Sequence, residues 1–237
     1  MKKILCAFMA VSILAVASAF SAEAKSGIEA GYVNSSYSFK SGISGDNNYS
    51  LNGFYVGLSQ DVPLFAGLHI VPGIYYTFLT DNSREDVMNF KLKGSLSDHY
   101  LNVPIMFRYQ FGLPGVKLFI FAGPTLSLGL VSKQKYTISG TVLDANIMGD
   151  ISYNYYTGKV NSKDLDIPQD TENPYKDIIP DIRYNRFDVL LGGGIGIEAF
   201  KFLEVKVGYD WGLLNRYKGD GAELHRNQVY AGIGIRF

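Results

Sequence analysis

One cysteine and three histidines are all that the 237-residue chain offers for thiol or imidazole chemistry. The cysteine, Cys6, lies inside the apolar run "ILCAFMAVSILAVASAF". If that run is removed as a leader, no thiol is left, which excludes disulfides and thiolate metal sites. Charge of one sign is also lacking: 22 Lys and Arg balance 22 Asp and Glu, without the basic excess that a nucleic-acid partner requires. Charged residues make up 19% of the chain, below the usual figure of about 25%. Beyond the leader no apolar run reaches the roughly 18 residues of a membrane helix. Any crossing of a bilayer must therefore be made by strands.

Nucleotide and metal motifs are missing too. The glycine run Gly192 to Gly194, continued by Ile195 and Gly196, is not followed by a helical pattern, so it fails as a phosphate loop. Asp164, Asp166, Asp170 and Glu172 form an acidic stretch without the spacing or glycine of a calcium loop. It reads as a solvated loop, and no cofactor is expected. Asp98-His99 with Ser95 or Ser97, and His225 elsewhere, could imitate a hydrolase site, but no motif supports one.

What is present starts with a basic "MKK", the apolar run, and small-x-small sites at 17–19 and 22–24. That is the pattern of a secretory leader over 1–24, cleaved after residue 19 or 24. The remainder, 25–237, suits one domain. Aromatics reach 14%, with 17 Tyr and 15 Phe, beside 26 Gly. Period-two alternation recurs throughout. In "YLNVPIMFRY", Leu101, Val103, Ile105, Phe107 and Tyr109 alternate with Tyr100, Asn102, Pro104, Met106 and Arg108. Similar segments near 27–38, 51–60, 68–79, 117–130, 187–198, 203–212 and 227–237 bring the expected strands to eight, an even number as in single-chain bacterial barrels. Short connections ("DVPLFAG", "FGLPGV", "AFKF") alternate with longer ones at 39–50, 80–97, 131–185 and 215–226. The expected fold is thus an all-β, eight-stranded, antiparallel, up-and-down transmembrane barrel with short periplasmic turns and long extracellular loops. The 131–185 insertion is expected to carry an extra hairpin and then an irregular acidic part.

The face opposite the apolar one decides which way the barrel is turned. It holds many glycines and a few charges: Glu29, His69, Arg108, Lys117, Asp188, Glu198, Glu204, Lys206, Asp210 and Arg236. Glycine is a poor solvent surface but fits a narrow interior, so the apolar face meets lipid. An eight-stranded lumen has room only for side chains, and inward charges must pair there because a lone buried charge is costly. Glu29, Arg108, Lys117, Asp188, Glu198, Glu204, Lys206, Asp210 and Arg236 are therefore expected to form a lumen charge network, not a catalytic centre. Phe111, Phe200 and Phe237 suit an aromatic girdle at the short-turn rim, with Tyr32, Tyr76, Phe78 and Trp211 at the other.

The terminal pattern Gly232-x-x-Ile235-x-Phe237 resembles the β-signal read by the outer-membrane insertion machinery. "YLNVPIMFRY", "LFIFAGPTLSLG" and "FDVLLGGGIGIE" resemble the strand motifs of the PorT-like outer-membrane β-barrel family. The resemblance implies a scaffold in the outer membrane of a Gram-negative bacterium, and no particular chemistry. The expected partners are outer-membrane lipid, the insertion machinery during assembly, and a protein at the extracellular loops. The expected role is a non-enzymatic scaffold presenting loops for surface contact, adhesion or partner binding. An accessory role in secretion or envelope assembly and a lipid hydrolase are the alternatives.

Overall fold

The computed structural model describes residues 24–41, 47–87, 90–113, 115–142, 145–163, 171–172 and 182–237. The leader with Cys6, and most of the acidic stretch after Lys163, lie outside the described residues. Eleven strands run in chain order: β1 Lys25–Ser41, β2 Asn47–Phe65, β3 Leu68–Val87, β4 Phe90–Leu113, β5 Val116–Val142, β6 Ala145–Asn154, β7 Lys159–Lys163, β8 Thr171–Glu172, β9 Phe187–Ala199, β10 Leu203–Gly212 and β11 Ala222–Arg236. Eight of them close a ring in which each pairs antiparallel with its neighbours: β1, β2, β3, β4, β5, β9, β10, β11 and back to β1. Closure is what hydrocarbon demands, since an open edge would strand backbone donors and acceptors. The closing pair runs from Gly27 against Arg236 to Ser41 against Ala222. No helix among the described residues is long and apolar enough to cross a membrane.

The alternation sorts the two faces as the period of two requires. Along β4 the outward residues are His99, Leu101, Val103, Ile105, Phe107, Tyr109 and Phe111, while Arg108, Met106, Asn102 and Tyr100 are buried in the lumen. That outward stripe spans roughly 40 Å of strand. At the usual tilt it is about 30 Å tall, the thickness of a hydrocarbon core. Phe111, Phe200, Phe202 and Phe237 are exposed at the short-turn rim. At the opposite end Tyr32 and Trp211 are exposed, and Tyr76 and Phe78 are partly so.

The short connections match expectation, with Ala66-Gly67 joining β2 to β3 and Phe200 to Phe202 joining β9 to β10. The longer ones do not stay loops. β3 runs on to Val87 and β4 begins at Phe90, so most of 80–97 is a paired hairpin that rises past the apolar belt. Polar residues on both faces hide such a strand from a hydrophobic pattern. β5 likewise outruns β9: it pairs with β9 only to Leu128 and with β6 from Lys133 to Val142. A sheet of β3, β4, β5, β6, β7 and β8 thus rises from one side of the barrel.

Candidate functional site

The lumen and its mouth at the long-loop rim hold the concentration of polar chemistry, in three layers. Nearest the short turns, Arg108 from β4 is buried among three acids. It lies 3.3 Å from Asp61 of β2 and 3.3 Å from Glu198 of β9, and it binds Glu204 of β10 more closely. The Arg108 guanidinium also covers the Phe119 ring at 3.7 Å. Arg236 donates through Nε to Glu204 at 2.9 Å and through Nη1 to Ser59 at 2.8 Å. His69 donates from Nδ1 to Asp61 at 2.6 Å. Six strands, β2, β3, β4, β9, β10 and β11, are thereby tied together through inward residues near the short-turn end of the lumen.

The middle layer centres on Lys206, whose ammonium lies 2.9 Å from Glu29. Tyr55 and Tyr75 donate to the same carboxylate at 2.5 and 3.2 Å. The rings of Phe121, Tyr75 and Tyr230 surround the ammonium at 5.4–5.9 Å. Beside them is a cavity of about 80 Å³, large enough to hold water. Asp210, Gln228 and Asn102 line it, each with one oxygen that has no protein partner. Gln228 donates to the other oxygen of Asp210 at 2.8 Å.

The upper layer stops the mouth. Arg216, from the segment between β10 and β11, and Arg226 of β11 are both 0% exposed. Arg226 lies over the Tyr100 ring at 3.9 Å, donates to Ser127 at 2.9 Å and faces Asp188 at 3.9 Å. Arg216 lies 5.1 Å from the Tyr100 ring and donates to the Tyr156 hydroxyl at 3.2 Å. Tyr37 and Tyr100 both donate to Asp98, at 2.8 and 2.7 Å. Tyr156 belongs to the turn between β6 and β7, which therefore folds back onto the barrel mouth. Tyr155 of that turn stacks on Tyr184 at 4.6 Å, and Tyr184 bridges to Tyr217. Burial raises the Tyr156 and Tyr184 hydroxyls above the ordinary phenol value, so both remain neutral donors at physiological pH.

A closed eight-stranded ring, oily outside and charged inside, has a counterpart among known families. The family model "Outer membrane protein beta-barrel domain" matches residues 17–217. The chain belongs to this family. It is an integral protein of the Gram-negative outer membrane. Ail, the attachment invasion locus protein of Yersinia pestis, is similar at 13% identity and a TM-score of 0.42, covering 91% of this chain and 99% of that one. Neisserial surface protein A is similar at 13% and 0.36, covering 89% and 97%. The outer membrane protease OmpT of Escherichia coli is similar at 12% and 0.40, covering 92% and 98%. No curated protein matches the chain.

Within this outer-membrane barrel domain the residues singled out from sequence are placed as follows. Glu29, Arg108, Asp188, Glu198, Glu204, Asp210 and Arg236 are buried in the lumen, and Lys206 is partly buried there. They form separate layers instead of one network. Lys117 is not drawn in: it lies at the short-turn mouth with Lys25, His69 and Glu198, in reach of water and without an ion pair to a described residue. Gly232 pairs with Gly31 near the middle of the closing seam, and Ile235 and Phe237 are exposed on its oily face. The imagined hydrolase grouping is not assembled. Asp98 points into the lumen, whereas His99, the next residue on the strand, points outward and meets the Tyr76 hydroxyl at 2.5 Å. His225 is outward on β11, where its Nδ1 lies 3.3 Å from the Gly212 carbonyl.

Sequence reasoning missed Asp61, Arg216, Arg226 and, apart from Tyr100, the inward tyrosines. Arg226 and Tyr230 share the even-numbered parity of the inward Arg236, so extending that phase backwards along β11 would have found them. Arg216 lies in a connection, where no period applies.

Proposed function

We propose that this chain is a non-enzymatic scaffold that holds the β3–β8 sheet and its connecting segments at the cell surface for contact with a protein partner. The observation that carries this reading is where the material lies. The lumen is filled at three heights, while a sheet stands beyond the belt and is buttressed on the barrel mouth through Tyr155 and Tyr156. Short turns on the opposite rim fit the periplasmic side, and the raised sheet then faces outward. Within the family, the strand motifs of β4, β5 and β9 support a place beside PorT-like members. Gly232, Ile235 and Phe237 serve as the signal for the insertion machinery. The segregation of Asp98 from His99 argues against a hydrolase.

The test replaces 143–181 by a short turn. The shortened chain is expected to insert and keep its heat-resistant folded form, yet to lose the surface cross-links that the full chain makes on intact cells. Cross-links that persist unchanged would overturn the reading. So would turnover of lipid A or phospholipid by the purified full chain.

A further inference from the structure

Paired strands carry the boundary between oil and water around the barrel as rows of side chains. On the outward face one row reads Tyr32, Phe54, Phe78, His99 and Val131, each directly opposite the next on β1, β2, β3, β4 and β5. Phe54 and Phe78 are in ring contact at 5.6 Å, and Phe78 and His99 at 5.0 Å. The next row up, two residues further along each strand, reads Asn34, Asn52, Thr80, Ser97 and Lys133, and continues to Asn154 on β6 and Lys159 on β7. The change from rings to amides, hydroxyls and ammonium groups takes place within one step of about 7 Å. An aromatic row of this kind sits at headgroup level in a bilayer.

Cations gather just above it on one side. Lys133 is exposed and has no acidic partner among the described residues; Lys93, further up on β4, is the same. Lys159 lies two strands across from Lys133 in the same row, with Asn154 between them. Lys135, one row higher, is 2.7 Å from Asp150. Asp150 is the acid on this face among the described side chains, and Lys135 and the Thr137 hydroxyl occupy it. Lys159 stands opposite Glu172 on β8, whereas Lys133, just above the aromatic row, and Lys93, two rows higher opposite Thr137, have no acid partner among the described side chains.

We infer that the outward face of β4 and β5 above the aromatic row, with Lys133 and Lys93, binds the phosphate groups of an outer-leaflet glycolipid. Its acyl chains would lie along Leu101, Val103, Leu126 and Leu128 directly below. Two observations select this occupant: the site continues the hydrocarbon-facing belt without a break, and the exposed Lys133 and Lys93 have no acid partner among the described side chains. The inference rests on the rim assignment made above and is independent of any protein partner of the raised sheet.

The full chain, folded and reconstituted in phosphatidylcholine nanodiscs, is titrated with diphosphorylated lipid A and with its dephosphorylated form. The phosphorylated lipid is expected to bind and the other to stay near background, with binding eroded by salt. Lys133→Gln should weaken it about fivefold and Lys133→Gln with Lys93→Gln roughly 25-fold. Lys133→Arg should retain it, and Lys40→Gln, on β1, should leave it unchanged. Circular dichroism and heat-modified gel mobility establish that each variant is folded. Equal binding of the two lipids, or a wild-type isotherm for the double glutamine variant, would overturn the proposal. So would labelling of Lys133→Cys by an impermeant maleimide only after the envelope is broken, because the row would then face the inner leaflet.

Discussion

A glycine and an aromatic residue stand directly opposite each other at five inward positions: Gly31 with Tyr55, Gly57 with Tyr75, Gly208 with Tyr230, Gly194 with Phe121 and Gly196 with Phe119. In each, a Cβ added to the glycine would meet the ring at 2.2–2.6 Å. Glycine here is a seat for a ring from the next strand, and the rings fill the lumen. Sequence showed the inward glycines and suggested a narrow interior filled by paired charges. It did not show the pairing of glycine with ring, since register is invisible in one chain and the tyrosines lie on other strands. Gly208→Ser, a small change on an inward position, must displace the Tyr230 ring packed around Lys206. Gly196→Val should cost about 1–3 kcal/mol by overpacking, and Phe119→Leu in the same chain should recover part of it; urea titration of folding into vesicles measures both. A sharper loss belongs to Arg108. Arg108→Met leaves Asp61, Glu198 and Glu204 facing one another without their shared cation, a change worth about 3–5 kcal/mol. The same titration should show it well above the loss for Lys117→Met, whose side chain is at the mouth and has no ion pair to a described residue.

Strands carry their information in phase, and phase was legible wherever one face was oily. The outward sets of β4, β9, β10 and β11 could be read directly, so the barrel and its inside-out polarity followed. Val207 of β10 is outward and exposed in mid-strand, with Ile195 on β9 and Ala231 on β11 beside it. Val207→Arg should therefore cost roughly 2–4 kcal/mol and lower the yield of heat-resistant barrel in a folding assay. Where neither face is oily the period vanishes, which is why the upper halves of β3 and β4 read as a loop. Their pairing is as regular as in the belt, from Asp81 opposite Leu96 up to Val87 opposite Phe90. The turn between β6 and β7 was hidden for a further reason: Tyr155 and Tyr156 are positioned by Tyr184 and Arg216, and no local pattern announces contacts of that range.

For the molecule as a whole, three layers stacked along one axis decide what the barrel passes. An open eight-stranded cylinder is barely wider than its own side chains. Here the lower layer crosses it with Arg108 and three acids, the middle one with Lys206 and its rings, and the upper one with Arg216, Arg226 and four tyrosines, Tyr37, Tyr100, Tyr156 and Tyr184. The 80 Å³ cavity lies within the lumen and is lined by residues of the lower and middle layers, including Arg108, Glu204 and Lys206. Layers in series impose the resistance of the tightest, so opening one leaves the others. Planar-bilayer recording of the full chain should show no large, steady conductance. Arg216→Ala with Tyr156→Ala removes the stopper at the mouth without touching Arg108 or Lys206, and it should remain silent as well. Steady openings in that variant would mean that the lower two layers are permeable, and that the turn between β6 and β7 is the gate of a pore instead of a brace for the surface sheet.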